Sequence, residues 1–197
     1  MTAIDALAGF LADPPKVHPG CRRGVWASDT SLYRFLVDEC DETMHTLETG
    51  LGISTVLFAW MRTEHTCVVV SQSEVDACCA YLDRRDIAHD RVRFIVGPSQ
   101  VVLPTLESGD LDLFLIDGCH GFPVPVIDWF YGARWLRSGG LLVVDDTDLP
   151  SVQRSLSWYL DLDPRWEAVA TLPMWRAYRR CGEGYLGEEW TEQGFLQ

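Results

Sequence analysis

From Ser28 onward the chain alternates two hydrophobic rhythms. Leu32, Phe35, Leu36 and Cys40 recur at helical spacing behind a Ser/Asp start, which predicts an amphipathic helix. Short, nearly continuous apolar runs then predict strands over Met44–Glu48, Thr66–Val70, Val92–Val96, Leu111–Ile116 and Leu141–Val144. Between them, helical periods cover Ile53–Arg62, Ser73–Arg85, a short stretch after Gln100, and Val126–Arg137. Strands that are apolar on both faces and alternate with helices imply βαβ units, hence a parallel sheet covered on both sides. Local signals mark the helix ends: Ser71-x-x-Glu74 reads as a capping box, Pro123 and Pro125 open a helix, and Gly139-Gly140 closes it.

After the fifth strand, Asp148 to Leu160 reads as helix, and Trp166–Leu172 and Trp175–Arg179, separated by Pro173, read as a terminal antiparallel pair. The flanks are less regular. Residues 1–27 are rich in Pro and Gly and weakly patterned, an arm or lid ahead of an α/β domain at 28–181. Residues 182–197, with Glu183, Glu188, Glu189, Glu192 and Trp190, form an acidic, aromatic tail without a period.

Composition narrows the functional classes. The 197 residues, 47% hydrophobic, suit one globular domain and exclude a disordered chain. A net charge of −13 disfavours phosphate backbones and anionic lipid, so neither nucleic acid nor a membrane surface is expected as a partner. A small-molecule ligand fits better, and the tail makes a homodimer a candidate assembly. The acidic N-terminus lacks a signal peptide's basic region, no apolar run reaches the ~18 residues of a membrane span, and the expectation is a cytoplasmic protein. Seven cysteines form neither a C-x-x-C pair nor a zinc spacing, and most read as buried small residues.

Ligands of open parallel sheets bind beyond the carboxyl ends of the strands. The first strand runs into Glu48-Thr49-Gly50-Leu51-Gly52-Ile53-Ser54-Thr55, where two glycines allow a tight turn and close approach of a ligand. A dinucleotide fingerprint needs a third glycine where Thr55 stands, and Glu48 disfavours a pyrophosphate. A carboxylate there suits an ammonium or sulfonium group; the plain alternative is a strand-to-helix turn.

The fourth strand ends in Asp117-Gly118-Cys119-His120 and the fifth in Asp145-Asp146-Thr147. Three carboxylates at one sheet edge offer the hard oxygen donors that Mg²⁺ prefers, unless Asp146 and Asp148 simply cap the next helix. The His120 imidazole, beside Asp117, suits removal of a proton from a substrate hydroxyl. His18, His45, His65 and His89 read as surface or packing residues. Trp26, Phe122, Trp129 and Trp175 are candidates for an apolar substrate wall.

The ordered set Glu48-x-Gly50-x-Gly52, Gly97-Pro98-Ser99, Asp117-Gly-x-His120, Gly139-Gly140 and Asp145-Asp146 resembles class I S-adenosylmethionine-dependent methyltransferases over roughly residues 28–180. Within that superfamily it is similar to Mg²⁺-dependent small-molecule O-methyltransferases, including those that modify sugars and natural products. The resemblance implies a three-layer, Rossmann-like, seven-stranded, mostly parallel sheet whose last strand is antiparallel, inserted between the fifth and sixth. It places Glu48, Gly50, Gly52 and Ser54 around the methionine part of the cofactor and Ser99 near the adenine. Asp117, Asp145 and Asp146 would hold the metal, with Asp117 and His120 in the catalytic centre and His120 as the base.

One departure concerns the second strand, where the family carries an acid for the ribose and this chain has Ser71-Gln72-Ser73. Ser71 or Gln72 would bind the ribose neutrally. The expected activity is methyl transfer to a small-molecule hydroxyl. The rivals are a catalytically silent methyltransferase fold that serves in binding or assembly, and an NAD- or nucleotide-sugar-linked α/β enzyme.

Overall fold

A computed structural model describes residues 2–107, 109–186, 189, 191 and 193. Glu188, Trp190 and Glu192 of the acidic tail lie outside the described residues. The chain divides into two compact units, Met1–Pro98 and Ser99–Gln197.

The first unit comprises α1 (Ala3–Ala12), α2 (Thr30–Glu39), β1 (His45–Thr49), α3 (Ile53–Met61), β2 (Glu64–Val69), α4 (Gln72–Arg84) and β3 (Val92–Val96). The second comprises α5 (Ser99–Val102), β4 (Leu111–Ile116), α6 (Val124–Gly132), β5 (Leu136–Asp145), α7 (Pro150–Val152), α8 (Trp158–Leu162), β6 (Trp166–Thr171) and β7 (Trp175–Arg180). The seven strands run in the order β3-β2-β1-β4-β5-β7-β6, with β7 antiparallel to both β5 and β6. The three-layer α/β expectation and the inserted last strand are both met. Among the described residues no helix is long and apolar enough to cross a membrane.

Burial explains the apolar runs. Leu113, Phe114 and Leu115 in β4 and Leu142, Val143 and Val144 in β5 are fully buried, as strands covered on both faces require. Each such side chain contributes about 1.5–3 kcal/mol on leaving water. The helix layer is close: a Cβ at Gly132 of α6 would lie 2.3 Å from the Phe114 ring.

Several local expectations are corrected. The first twelve residues contain a helix, α1, which buries Ala6, Leu7 and Phe10. Its start is fixed by Thr2 and Asp5, the Asp5 N–H donating to Thr2 Oγ1 and the Thr2 N–H to Asp5 Oδ2. Gly139 and Gly140 do not close a helix; α6 ends at Gly132, a 3₁₀ turn spans Ala133–Trp135, and both glycines lie within β5. Gly139 has φ +79°, and the β4–β5 register shifts between Leu111 and Leu113, so the pair marks irregularity in a longer strand. Ser71 precedes α4 but its side chain makes no capping bond; its hydroxyl meets that of Ser73 at 2.7 Å instead. The helix expected from Asp148 starts at Pro150 and passes through a π-type turn at Gln153–Ser157, where the Ser155 hydroxyl donates to the Ser151 carbonyl.

Candidate active site

The glycine turn follows β1. Gly50 has φ +99°, a conformation that excludes ordinary side chains, and this lets the chain reverse from strand into α3. Gly52 caps α3 with no side chain of its own. Thr55 substitutes: its Oγ1 accepts the Gly52 N–H at 3.0 Å and donates to Glu48 Oε1. Glu48 is wholly buried, with Oε1 also 3.1 Å from His65 Nε2 and Oε2 without a partner. Ser54 is likewise buried in the first turn of α3.

His65 is therefore more than packing. Its Nδ1 lies 2.8 Å from Thr46 Oγ1, its ring stacks on Phe58, and Thr46 in turn contacts Thr63. The Cys67 thiol donates to the Gly50 carbonyl, and burial, with the Glu48 charge nearby, pushes its pKa well up. Donor atoms of Glu48, His65 and Cys67 lie within 4.8 Å of one another, the one such group among the described residues, yet each residue already has protein partners. The signal for this cluster was present in the register: Thr46 pairs with His65 and Glu48 with Cys67, so polar residues at alternate positions of two buried strands meet on one face.

At the end of β2, Gln72 Nε2 donates to Asp76, which leaves the Gln72 carbonyl oxygen as an acceptor; Ser71 is engaged with Ser73. Val70, just before them, is 66% exposed. The segment before α2 folds over Gly52, where a Cβ would meet Val25 and the Trp26 carbonyl at 3.7 and 3.8 Å. Its loop is held by His18, whose Nδ1 accepts the Trp26 N–H at 3.0 Å. Burial lowers the pKa of His18, favouring the neutral ring that this bond requires. A cleft of about 180 Å³ lies beside this loop, lined by residues including Leu11, Arg23, Val25 and Ile53.

In the second unit, Asp117 follows β4 and Asp145 ends β5, with Asp146 next at φ +52°, a left-handed conformation that aspartate tolerates better than most residues. His120 Nε2 lies 3.0 Å from Asp146 Oδ2 and 4.0 Å from Asp117 Oδ1. All three side chains are partly exposed, whereas Asp145 is buried. The structure thus brings Asp117, His120 and Asp146 together. It does not bring the oxygens of Asp117, Asp145 and Asp146 within 4.8 Å of one another. Ser99 is buried at the start of α5, and the Thr147 hydroxyl is buried without a partner. Of the expected substrate wall, Trp26 and Phe122 are about 70% exposed, but Trp129 and Trp175 belong to the core.

Comparison with known proteins bears on the family and the fold. Residues 47–147 match the family model described as a methyltransferase domain. A stretch of 65 residues is 42% identical to a catechol O-methyltransferase of Mycobacterium tuberculosis (strain ATCC 25618 / H37Rv), spanning 33% of this chain and 28% of that protein. Among solved structures, cofactor-bound Rv0187 from MTB superposes with a TM-score of 0.64 at 23% identity, over 90% of this chain and 89% of the other. An SAH-bound methyltransferase of Podospora anserina gives 0.65 at 18% identity, over 90% and 88%. These two share the fold. With the matched model covering more than half of its length, the chain belongs to the methyltransferase-domain family.

Proposed function

We propose that this protein transfers a methyl group from S-adenosylmethionine to a hydroxyl of a small molecule. The observation that carries the reading is the imidazole of His120 between two carboxylates, at the ends of two neighbouring strands. Asp146 and Asp117 on the Nε2 side favour a proton at Nε2, which leaves the Nδ1 lone pair to accept the substrate's hydroxyl proton. The same carboxylates then stabilise the imidazolium that forms. The local likeness to a catechol O-methyltransferase supports oxygen as the acceptor.

Toward the methionine portion of the cofactor we assign Glu48, Gly50, Gly52 and Ser54, and toward the ribose Ser71 and Gln72. Ser99 is assigned toward the adenine, and Asp117 is counted among the cofactor-binding residues. The partnerless Oε2 of Glu48 fits a cationic group of the cofactor. The donor set of Asp117, Asp145 and Asp146 fits Mg²⁺ in kind, three carboxylates offering hard oxygen donors, and these residues would hold the ion. When bound, such an ion lowers the pKa of a coordinated hydroxyl. None of the seven cysteines is in a disulfide, which suits a reducing compartment, and we assign the protein to the cytoplasm.

Calorimetric titration with S-adenosylmethionine, S-adenosylhomocysteine and NAD, with and without Mg²⁺, tests this reading. Binding of both sulfur ligands and not NAD is expected. Failure of both to bind would overturn it.

A further inference from the structure

Among the polar side chains in the interior of the first unit are Thr46, Glu48, Thr55, Thr63 and His65, none more than 2% exposed. Polar groups buried this deeply are costly unless they are mutually satisfied. Four of them form a continuous chain. With the Thr63 hydroxyl shared between Thr46 and the Phe58 carbonyl, and Thr46 donating to His65 Nδ1, the imidazole carries its hydrogen at Nε2 and directs it to Glu48 Oε1. Thr55 donates to the same oxygen from the other side. These two donors converge on Oε1, the Cys67 thiol lies beside the carboxylate, and Oε2 is buried without a hydrogen-bond partner. The ring has little freedom to turn away, since it stacks on Phe58 at 4.4 Å between centroids and is held at Nδ1 by Thr46.

A carboxylate oriented in this way is half used by the protein and half left for a cation. We propose that His65 is a positioning residue for the cofactor, fixing the Glu48 carboxylate so that Oε2 alone is presented to the ammonium of the methionine moiety. This rests on the proposed function, which supplies that ammonium. His65 touches neither the cofactor nor the substrate; it acts through Glu48, as Thr55 acts on the opposite side while also holding the Gly52 N–H. The residues that face Glu48 are Thr55, His65 and Cys67, and the last is held as a neutral thiol by its burial.

The test compares two probes, S-adenosylhomocysteine, which has the ammonium, and 5′-methylthioadenosine, which lacks the amino-acid end. In the full chain, His65→Phe keeps a ring to stack on Phe58 and removes both nitrogens. It is expected to weaken S-adenosylhomocysteine binding about tenfold or more, as loss of a hydrogen bond to a charged group does, while 5′-methylthioadenosine binding changes less than about twofold. His65→Gln, which restores an N–H donor, is expected to recover most of the loss. Should His65→Phe not fold, Thr46→Val, which releases Nδ1 and keeps the imidazole, is read in the same way with a smaller loss. Equal weakening of both probes would make His65 merely structural and overturn the proposal; so would no change in either. A wild-type chain that binds neither probe overturns the proposed function itself, a result distinct from wild-type binding that the variants leave unmoved.

Discussion

Beneath the glycine turn, Glu48 and His65 have side chains with no solvent exposure, whereas Asp117, His120 and Asp146 expose 23%, 24% and 31% of theirs. Both groups pair an imidazole with carboxylate, at 3.1 Å in the first and 3.0 Å in the second. The chemistry each can perform differs because of water. A buried pair cannot meet a substrate proton, so its bonds serve to hold a backbone turn and orient an acceptor. A partly exposed pair can exchange a proton with a bound hydroxyl, and its carboxylates remain adjustable enough to accept a cation. Under the proposed function, the same residue types serve as scaffold in one place and as acid–base machinery in the other, and burial decides which.

The sharpest way to break this contrast is His120→Ala. Turnover is expected to fall by about 10²–10⁴-fold, the usual contribution of a general base, while S-adenosylhomocysteine affinity and melting temperature stay close to wild type. Single-turnover kinetics beside calorimetry would measure both, and an unchanged rate removes His120 from the mechanism. Thr55→Val reverses the pattern. It strands the Gly52 N–H and one Glu48 contact in the interior, at a cost of about 1–3 kcal/mol, so thermal melting should drop by several degrees with cofactor affinity reduced alongside. A Thr55→Val protein that melts like wild type would show that the buried group does not hold the turn.

The smallest effect concerns His18, which belongs to neither cluster. Its pKa is lowered by burial, so the unfolded chain takes up this proton more readily than the folded one. Stability from this residue is complete above about pH 6.5 and declines as pH falls from there through the lower folded value. The Trp26 amide shift in an NMR titration should move over that window and stop moving in His18→Asn. If the shift persists in the variant, the acid sensitivity comes from elsewhere.

Much of the fold was legible because the strands are covered on both sides, and double burial leaves unbroken apolar runs such as Leu113–Ile116. Local punctuation was less dependable. Gly139-Gly140 has the composition of a helix stop, but pairing with β4 and β7 draws the chain into strand on both sides of it. The missed α1 had its signal in Thr2 and Asp5, obscured by the Pro-rich loop that follows. Within the candidate site, the approach of Asp117, His120 and Asp146 follows from strand ends that topology alone brings together. His65 was hidden because it opens no motif and precedes no turn. Its significance depends on lying opposite Thr46 across β1 and β2, a pairing that sequence spacing does not state.

Gly132 and Phe114 carry a consequence for recombination. Overpacking of this kind costs about 1–3 kcal/mol, and with a Cβ at position 132 only 2.3 Å from the ring, the glycine and the phenylalanine are sterically coupled. A chimera that takes β4 from one parent and α6 from another must carry both or neither. Position 132 would then register in a screen for expression and stay silent in a screen for substrate choice.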